Sequence, residues 1–160
     1  MFKKIMENFK QLSIMKKILI LLALVLPFGV ALALNANDKV ISKGQLPAQA
    51  QSFLNEHFAN VKISYAKQDA EFLGHAYEVV LSDGSKLEFS SKGNWEEVDC
   101  SYSKVPEAII PAPIVRFISE NHPDASVLKI ERDRRGYEVK LSNRIELGFN
   151  NDFELVDIDN

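Results

Sequence analysis

The chain carries a single cysteine, Cys100, among its 160 residues. One cysteine cannot close an intrachain disulfide, and it cannot be half of a CxxC pair or a zinc site. The three histidines, His57, His75 and His122, show no HxxxH or HExxH spacing, so the helix-borne zinc motif is excluded. Glycine and proline are sparse, at 7 and 6 residues, which excludes collagen-like and low-complexity chains. What is present is 46% hydrophobic and 26% charged residues, enough for one ordinary domain or two very small ones.

Charge and apolarity are unevenly spread. Residues 18–34 read ILILLALVLPFGVALAL without a charge, directly after Lys16 and Lys17. A basic segment, a short apolar core and the small residues Ala31 and Ala33 make a secretory signal peptide over residues 1–33. The alternative, a membrane anchor, is disfavoured by Pro27 and Gly29 and by a run at the low edge for a span. Cleavage after Ala33 or Ala36 and a start at Met15 are all compatible with the pattern. Five lysines and Glu7 lie in residues 1–33, so removal leaves 14 positive and 21 negative side chains, a net of −7. An acidic exported chain is a poor partner for nucleic acid or an anionic membrane surface.

The remainder shows internal similarity. Leu46-Pro47-Ala48 and Phe53-Leu54-Asn55-Glu56 match Ile110-Pro111-Ala112 and Phe117-Ile118-Ser119-Glu120 at an offset of 64. Tyr77-Glu78-Val79-Val80-Leu81-Ser82 matches Tyr137-Glu138-Val139-Lys140-Leu141-Ser142 at 60. Leu87-Glu88 and Trp95–Asp99 match Ile145-Glu146 and Phe153–Asp157 at 58. A falling offset places the lost residues in turns, which makes the second hairpin, at Asn143-Arg144, the shorter one. The expected boundaries are a leader over 1–33, a linker over 34–45 and repeats over 46–103 and 104–160.

Leu46, Ala50, Phe53 and Leu54 are spaced for one helix face, as are Ile110, Ile114, Phe117 and Ile118. Pro47 and Pro111 suit a first helical position. Tyr77, Val79 and Leu81 alternate with Glu78, Val80 and Ser82, the pattern of a half-buried strand. Asp83-Gly84 and Lys92-Gly93-Asn94 suit tight hairpins. The expected fold is α+β: two tandem repeats, each one helix packed on a four-stranded antiparallel sheet.

LPAQAQSFLNEHF, YEVVLSDGSKLEFSSKGNWEEVDC and VPEAI resemble the PepSY-like family of small exported proteins of Gram-negative gut bacteria, also described as β-lactamase-inhibitor-like. The resemblance covers residues 46–159. It implies the tandem helix-and-sheet fold of β-lactamase inhibitory protein and a periplasmic, non-enzymatic protein. Two departures stand out. The inhibitor braces its repeats with disulfides, and this chain has one cysteine. The Asn143-Arg144 hairpin lacks an aromatic tip for plugging an enzyme pocket. Fold likeness alone does not carry the inhibitory function.

Few chemistry-bearing residues converge in this chain. His57 and His122 end the helices, and His75 adjoins Gly74 in a turn. Ser101-Tyr102-Ser103-Lys104 has the form S-x-x-K but sits in the linker, without the K-T-G strand that accompanies it in penicillin-recognising enzymes. Asp152, Asp157 and Asp159 lack a calcium-loop pattern. No catalytic residue, metal site or cofactor is expected. Strand alternation puts Glu78, Glu88, Glu138 and Glu146 on the outer side of the sheet. It also puts Trp95, Glu97 and Phe153 outward, with Asp83 at a hairpin tip. Trp95, Glu97, Glu78, Glu88, Asp83 and Phe153 are therefore the candidate binding residues, for a periplasmic protein or a small ligand. The expected state is a monomer. The alternative expectation is an inhibitor or modulator of a periplasmic hydrolase, a peptidase or β-lactamase.

Overall fold

A computed structural model describes residues 38–69 and 77–159. The leader assigned to 1–33 and the turn at His75 lie outside the described residues. Among the described residues nine strands form one antiparallel sheet in which spatial order equals chain order. They are β1 (Lys39–Ile41), β2 (Ile63–Gln68), β3 (Tyr77–Leu81), β4 (Lys86–Phe89), β5 (Trp95–Asp99), β6 (Val127–Arg132), β7 (Gly136–Leu141), β8 (Glu146–Asn150) and β9 (Leu155–Asp159). Among the described residues two α-helices accompany it, α1 (Ala48–His57) between β1 and β2, and α2 (Ala112–Asn121) between β5 and β6.

The α+β class holds, but the expected pair of four-stranded sheets does not. β5 pairs with β6 through Glu97↔Glu131, Val98↔Ile130 and Asp99↔Lys129, which fuses the strands into one sheet. Two separate sheets would leave the facing edges of β5 and β6 with unpaired N–H and C=O groups. Pairing satisfies both edges and extends the apolar face without interruption. The ninth strand, β1, lies within 34–45 and pairs with β2 through Val40↔Lys67 and Ile41↔Ala66.

Both helices begin one residue later than their prolines suggest. Pro47 and Pro111 are N-cap residues, whose carbonyls accept the Gln51 and Val115 N–H groups at 3.1 Å. Each helix buries one face: Ala50 and Leu54 on α1, Ile114 and Ile118 on α2. Against them the sheet presents Val79, Leu87, Phe89, Val98, Ile130, Val139, Leu147 and Phe149, all nearly sealed from solvent. Phe53 meets Phe89 edge-on at 5.7 Å, and Phe117 meets Phe149 likewise at 5.4 Å. Each such buried apolar side chain contributes about 1.5–3 kcal/mol, so this shared core holds helices and sheet together.

The hairpins correct the shortening expected in the second half. Leu81 N–H bonds the Ser85 carbonyl and Gly84 N–H bonds Leu81, just as Leu141 bonds Ile145 and Arg144 bonds Leu141. Gly84 (φ 89°) and Arg144 (φ 73°) take the same left-handed conformation. The next turns match too: Gly93 (φ 82°) and Phe153 (φ 62°) each donate to the residue that opens the turn, Ser90 and Asn150. Leu87 pairs with Val98 as Leu147 pairs with Ile158. These turns therefore have equal length, and the strand register does not follow the offset of 58.

Candidate functional site

Strand alternation sends one set of side chains into the core and the other to the opposite face. On that outer face the register lines up charges across the sheet. Lys67 stands opposite Glu78, Glu78 opposite Glu88, Glu88 opposite Glu97, Glu97 opposite Glu131, and Glu131 opposite Glu138. Gly148 and then Asp157 complete the row. Five glutamates thus sit side by side on the five neighbouring strands β3 to β7. Directly opposed like charges are destabilising in an antiparallel pair.

A second row, two residues along, offsets them. It runs Val80, Lys86, Asp99, Lys129, Lys140, Glu146, Asp159. Lys86 Nζ reaches Glu88 Oε1 at 2.7 Å and Glu97 Oε1 at 3.1 Å. Lys129 Nζ reaches Glu97 Oε2 at 2.7 Å and Glu131 Oε2 at 3.4 Å. Lys140 bonds Glu146 at 2.9 Å. At the β2 end, Lys67 lies 3.6 Å from Glu78, 3.1 Å from Asp69 and 3.2 Å from Asp38. Tyr65 donates its hydroxyl to Glu78 at 2.8 Å. The two rows hold nine carboxylates and four lysines, so the face is acidic overall.

These contacts shape the titration of the face. Burial disfavours the Glu97 carboxylate, but the Lys129 and Lys86 ammonium groups outweigh it and hold its pKa below the usual range. Burial opposes the charge on Lys86 and Lys129 too, yet their carboxylate partners raise both pKa values. Burial and the Glu78 carboxylate push the Tyr65 phenol up to about 12.

The six candidate residues divide into two groups. Glu78, Glu88 and Glu97 share the acid row. Trp95 does not join them. Glu96 bulges out of the β4–β5 ladder, so Glu97 opposes Glu88 while Trp95 opposes Phe89. The bulge resets the alternation and turns Trp95 to the helix side, where its ring lies 6.3 Å from Phe53. Arg132 stacks over that ring at 4.1 Å and donates Nε–H to the Trp95 carbonyl at 2.7 Å. Phe153 is a turn residue, stacked on Tyr137 at 5.5 Å rather than projecting from the face. Asp83 spends an oxygen on its own turn, accepting Ser85 N–H at 2.9 Å.

Elsewhere, His57 packs on Phe53 at 4.7 Å, and Ser101 donates its hydroxyl to Asp99. Lys104 and His122 line a cleft of about 220 Å³ with Val105, Ile118 and Val127. Among the described residues no three His, Cys, Asp or Glu side chains are grouped to hold a metal ion. No described helix is long and apolar enough to cross a membrane. Strand alternation already places Lys140 on the outer side; Lys67, Lys86, Lys129 and Glu131 are the face residues that the sequence reading missed. For Lys86, Lys129 and Glu131 the signal was the two-residue spacing of Lys86 and Glu88 and of Lys129 and Glu131, which fixes each pair to one side of its strand.

An α+β protein with one meandering sheet and an acidic open face is thus defined by its own residues. Residues 75–157 match the family described as "Putative beta-lactamase-inhibitor-like, PepSY-like". The chain belongs to this PepSY-like family. It is similar to a solved "putative calcium-regulated periplasmic protein" of Bacteroides thetaiotaomicron, with 54% identity over 77% of this chain and 97% of that one, at a TM-score of 0.75. A "putative periplasmic protein" of Bacteroides vulgatus is 46% identical over 78% and 98% of the two chains, at a TM-score of 0.76. A second from that organism, a "putative periplasmic protein of unknown function", is 34% identical over 77% and 99%, at a TM-score of 0.72. No curated protein matches.

Proposed function

We propose that the chain is a non-enzymatic periplasmic binding module whose acidic sheet face receives a cationic protein segment. Export rests on the leader pattern of residues 1–33 and on relatives described as periplasmic. The binding role rests on one observation, the glutamate row across β3 to β7. Opposed carboxylates call for cations beside them; Lys86 and Lys129 meet that need inside the face, and with nine carboxylates against four lysines the face as a whole still attracts lysine and arginine. Glu131 and Glu138 lie where this row is most open to solvent.

The test is titration of the purified chain with a fluorescent lysine-rich peptide at low and moderate salt. Binding that weakens with salt and is lost in Glu131→Lys with Glu138→Lys supports the reading. Equal binding of a glutamate-rich peptide overturns it. The family description favours a second reading, modulation of a periplasmic peptidase or β-lactamase. Hydrolase rates unchanged at micromolar protein would remove that one.

A further inference from the structure

β9 is the last strand of the sheet, and its register repeats that of β5. Phe89↔Trp95 is followed by Glu88↔Glu97 with Glu96 bulged; Phe149↔Leu155 is followed by Gly148↔Asp157 with Val156 bulged. The strands then differ in what lies beyond. β6 covers the far edge of β5, with Ile130 opposite Val98, and Val98 is 0% exposed. Among the described residues no strand follows β9 in the sheet order. Ile158, at the register position of Val98, is 58% exposed, and the bulged Val156 is 64% exposed.

Sheet edges are normally blunted by charged side chains, proline, bulges or shortness, which leaves them selective for what can pair there. The opposite edge, β1, is three residues long and carries Lys39. β9 has five residues, no lysine or proline, and a bulge at Val156. It does carry Asp157 and Asp159, at the positions of Glu97 and Asp99. On β5, Glu97 is gripped from both sides, by Lys86 of β4 and Lys129 of β6. On β8 the place of Lys86 is held by Glu146, opposite Asp159. The β9 edge is therefore apolar at Ile158 and acidic on both sides of it, and the position that Lys86 holds on β4 is Glu146 on β8.

We propose that β9 accepts a tenth strand from another protein, an extended segment reading cation–apolar–cation. The apolar residue lies opposite Ile158, and lysine or arginine lies opposite Asp157 and Asp159. β6 on β5 is the internal template for the apolar position and for one cation, with Ile130 opposite Val98 and Lys129 opposite Asp99; at the third position β6 sets Glu131 opposite Glu97, and there Lys86 of β4 and Lys129 of β6 supply the positive charge. Backbone hydrogen bonds supply the affinity and the alternating side chains the selectivity. A second copy is a poor occupant, because antiparallel β9–β9 pairing sets aspartate against aspartate. The inference rests on the proposed cationic partner and adds where and how that partner lies.

The experiment uses the purified chain, a valine-flanked Lys-Ile-Lys peptide, the same peptide N-methylated on its central amides, and a Glu-Ile-Glu counterpart. The Lys-Ile-Lys peptide should bind and slow amide exchange in β9. N-methylation should weaken it about tenfold, the effect of losing one or two backbone hydrogen bonds. Asp157→Lys should abolish its binding and admit the Glu-Ile-Glu peptide. Equal binding of the N-methylated peptide to the unaltered chain overturns strand addition while leaving the acidic-face reading intact. Failure of every cationic peptide overturns both. Sedimentation showing a dimer that Asp157→Lys tightens would overturn the choice of partner.

Discussion

Lys129 Nζ lies 2.7 Å from Glu97 Oε2, across the β5–β6 boundary that fuses the sheet. The other oxygen of Glu97 faces Lys86 at 3.1 Å. Glu97 is only 8% exposed, so its charge depends on these partners. Glu97→Gln keeps the shape and removes the charge. It should destabilise the fold by about 1–3 kcal/mol, less than a fully buried pair because both lysines keep a second carboxylate. Urea unfolding checks this, and an unchanged midpoint would contradict it.

The same site sets an acid limit. The folded pKa of Glu97 is depressed, because Lys129 and Lys86 outweigh the burial that would raise it. A depressed carboxylate contributes fully above its unfolded value of about 4.3 and loses that contribution as pH falls through the folded value. Stability of the unaltered chain should drop more steeply below about pH 4 than that of Glu97→Gln. Parallel pH curves would refute the assignment.

Tyr65 sets an alkaline limit. Burial, and the Glu78 carboxylate that accepts its hydroxyl, raise its pKa to about 12. A raised group contributes fully below its unfolded value of about 10 and loses that contribution as pH rises through the folded one. Absorbance titration near 295 nm should show one tyrosine ionising late, and Tyr65→Phe should remove that step.

The legible parts of the fold were those with short-range causes. Helix faces follow from Leu46–Leu54 and Ile110–Ile118, and outer glutamates from alternation along single strands. The fusion of β5 with β6 was hidden because edge pairing is a long-range choice that leaves no local spacing. The Glu96 bulge was hidden for a similar reason, and with it the turn of Trp95 toward α1. The turn at Arg144 is not the shorter one its residues suggest, and Phe153 corresponds to Gly93 rather than to Trp95. Each takes a left-handed conformation that glycine announces at Gly84 and Gly93. Without that marker the best residue matches slid by two positions.

Arg144 therefore holds strain that its counterpart Gly84 does not. A left-handed residue with a side chain costs about 1–2 kcal/mol, and glycine recovers most of it minus its own entropy cost. Arg144→Gly should raise stability by about 0.5–1 kcal/mol. Gly136→Ala should do the reverse, since its φ is +147° and an added Cβ would collide with the Phe149 carbonyl oxygen. Thermal melts of the two variants should shift in opposite directions.

Cys100 ties these predictions to one readout. Its side chain is 1% exposed and its thiol pKa is raised, chiefly by burial, against the hydrogen bonds to Ser85 and Ser103. A buried, protonated thiol reacts with a disulfide reagent only when the structure opens. Where opening and reclosing are fast, the labelling rate follows the open population and hence stability. Glu97→Gln should speed labelling about tenfold for each 1.4 kcal/mol it removes, and Arg144→Gly should slow it. Cys100 labelling as fast in the folded chain as in urea would contradict its place beneath the β5–β6 junction.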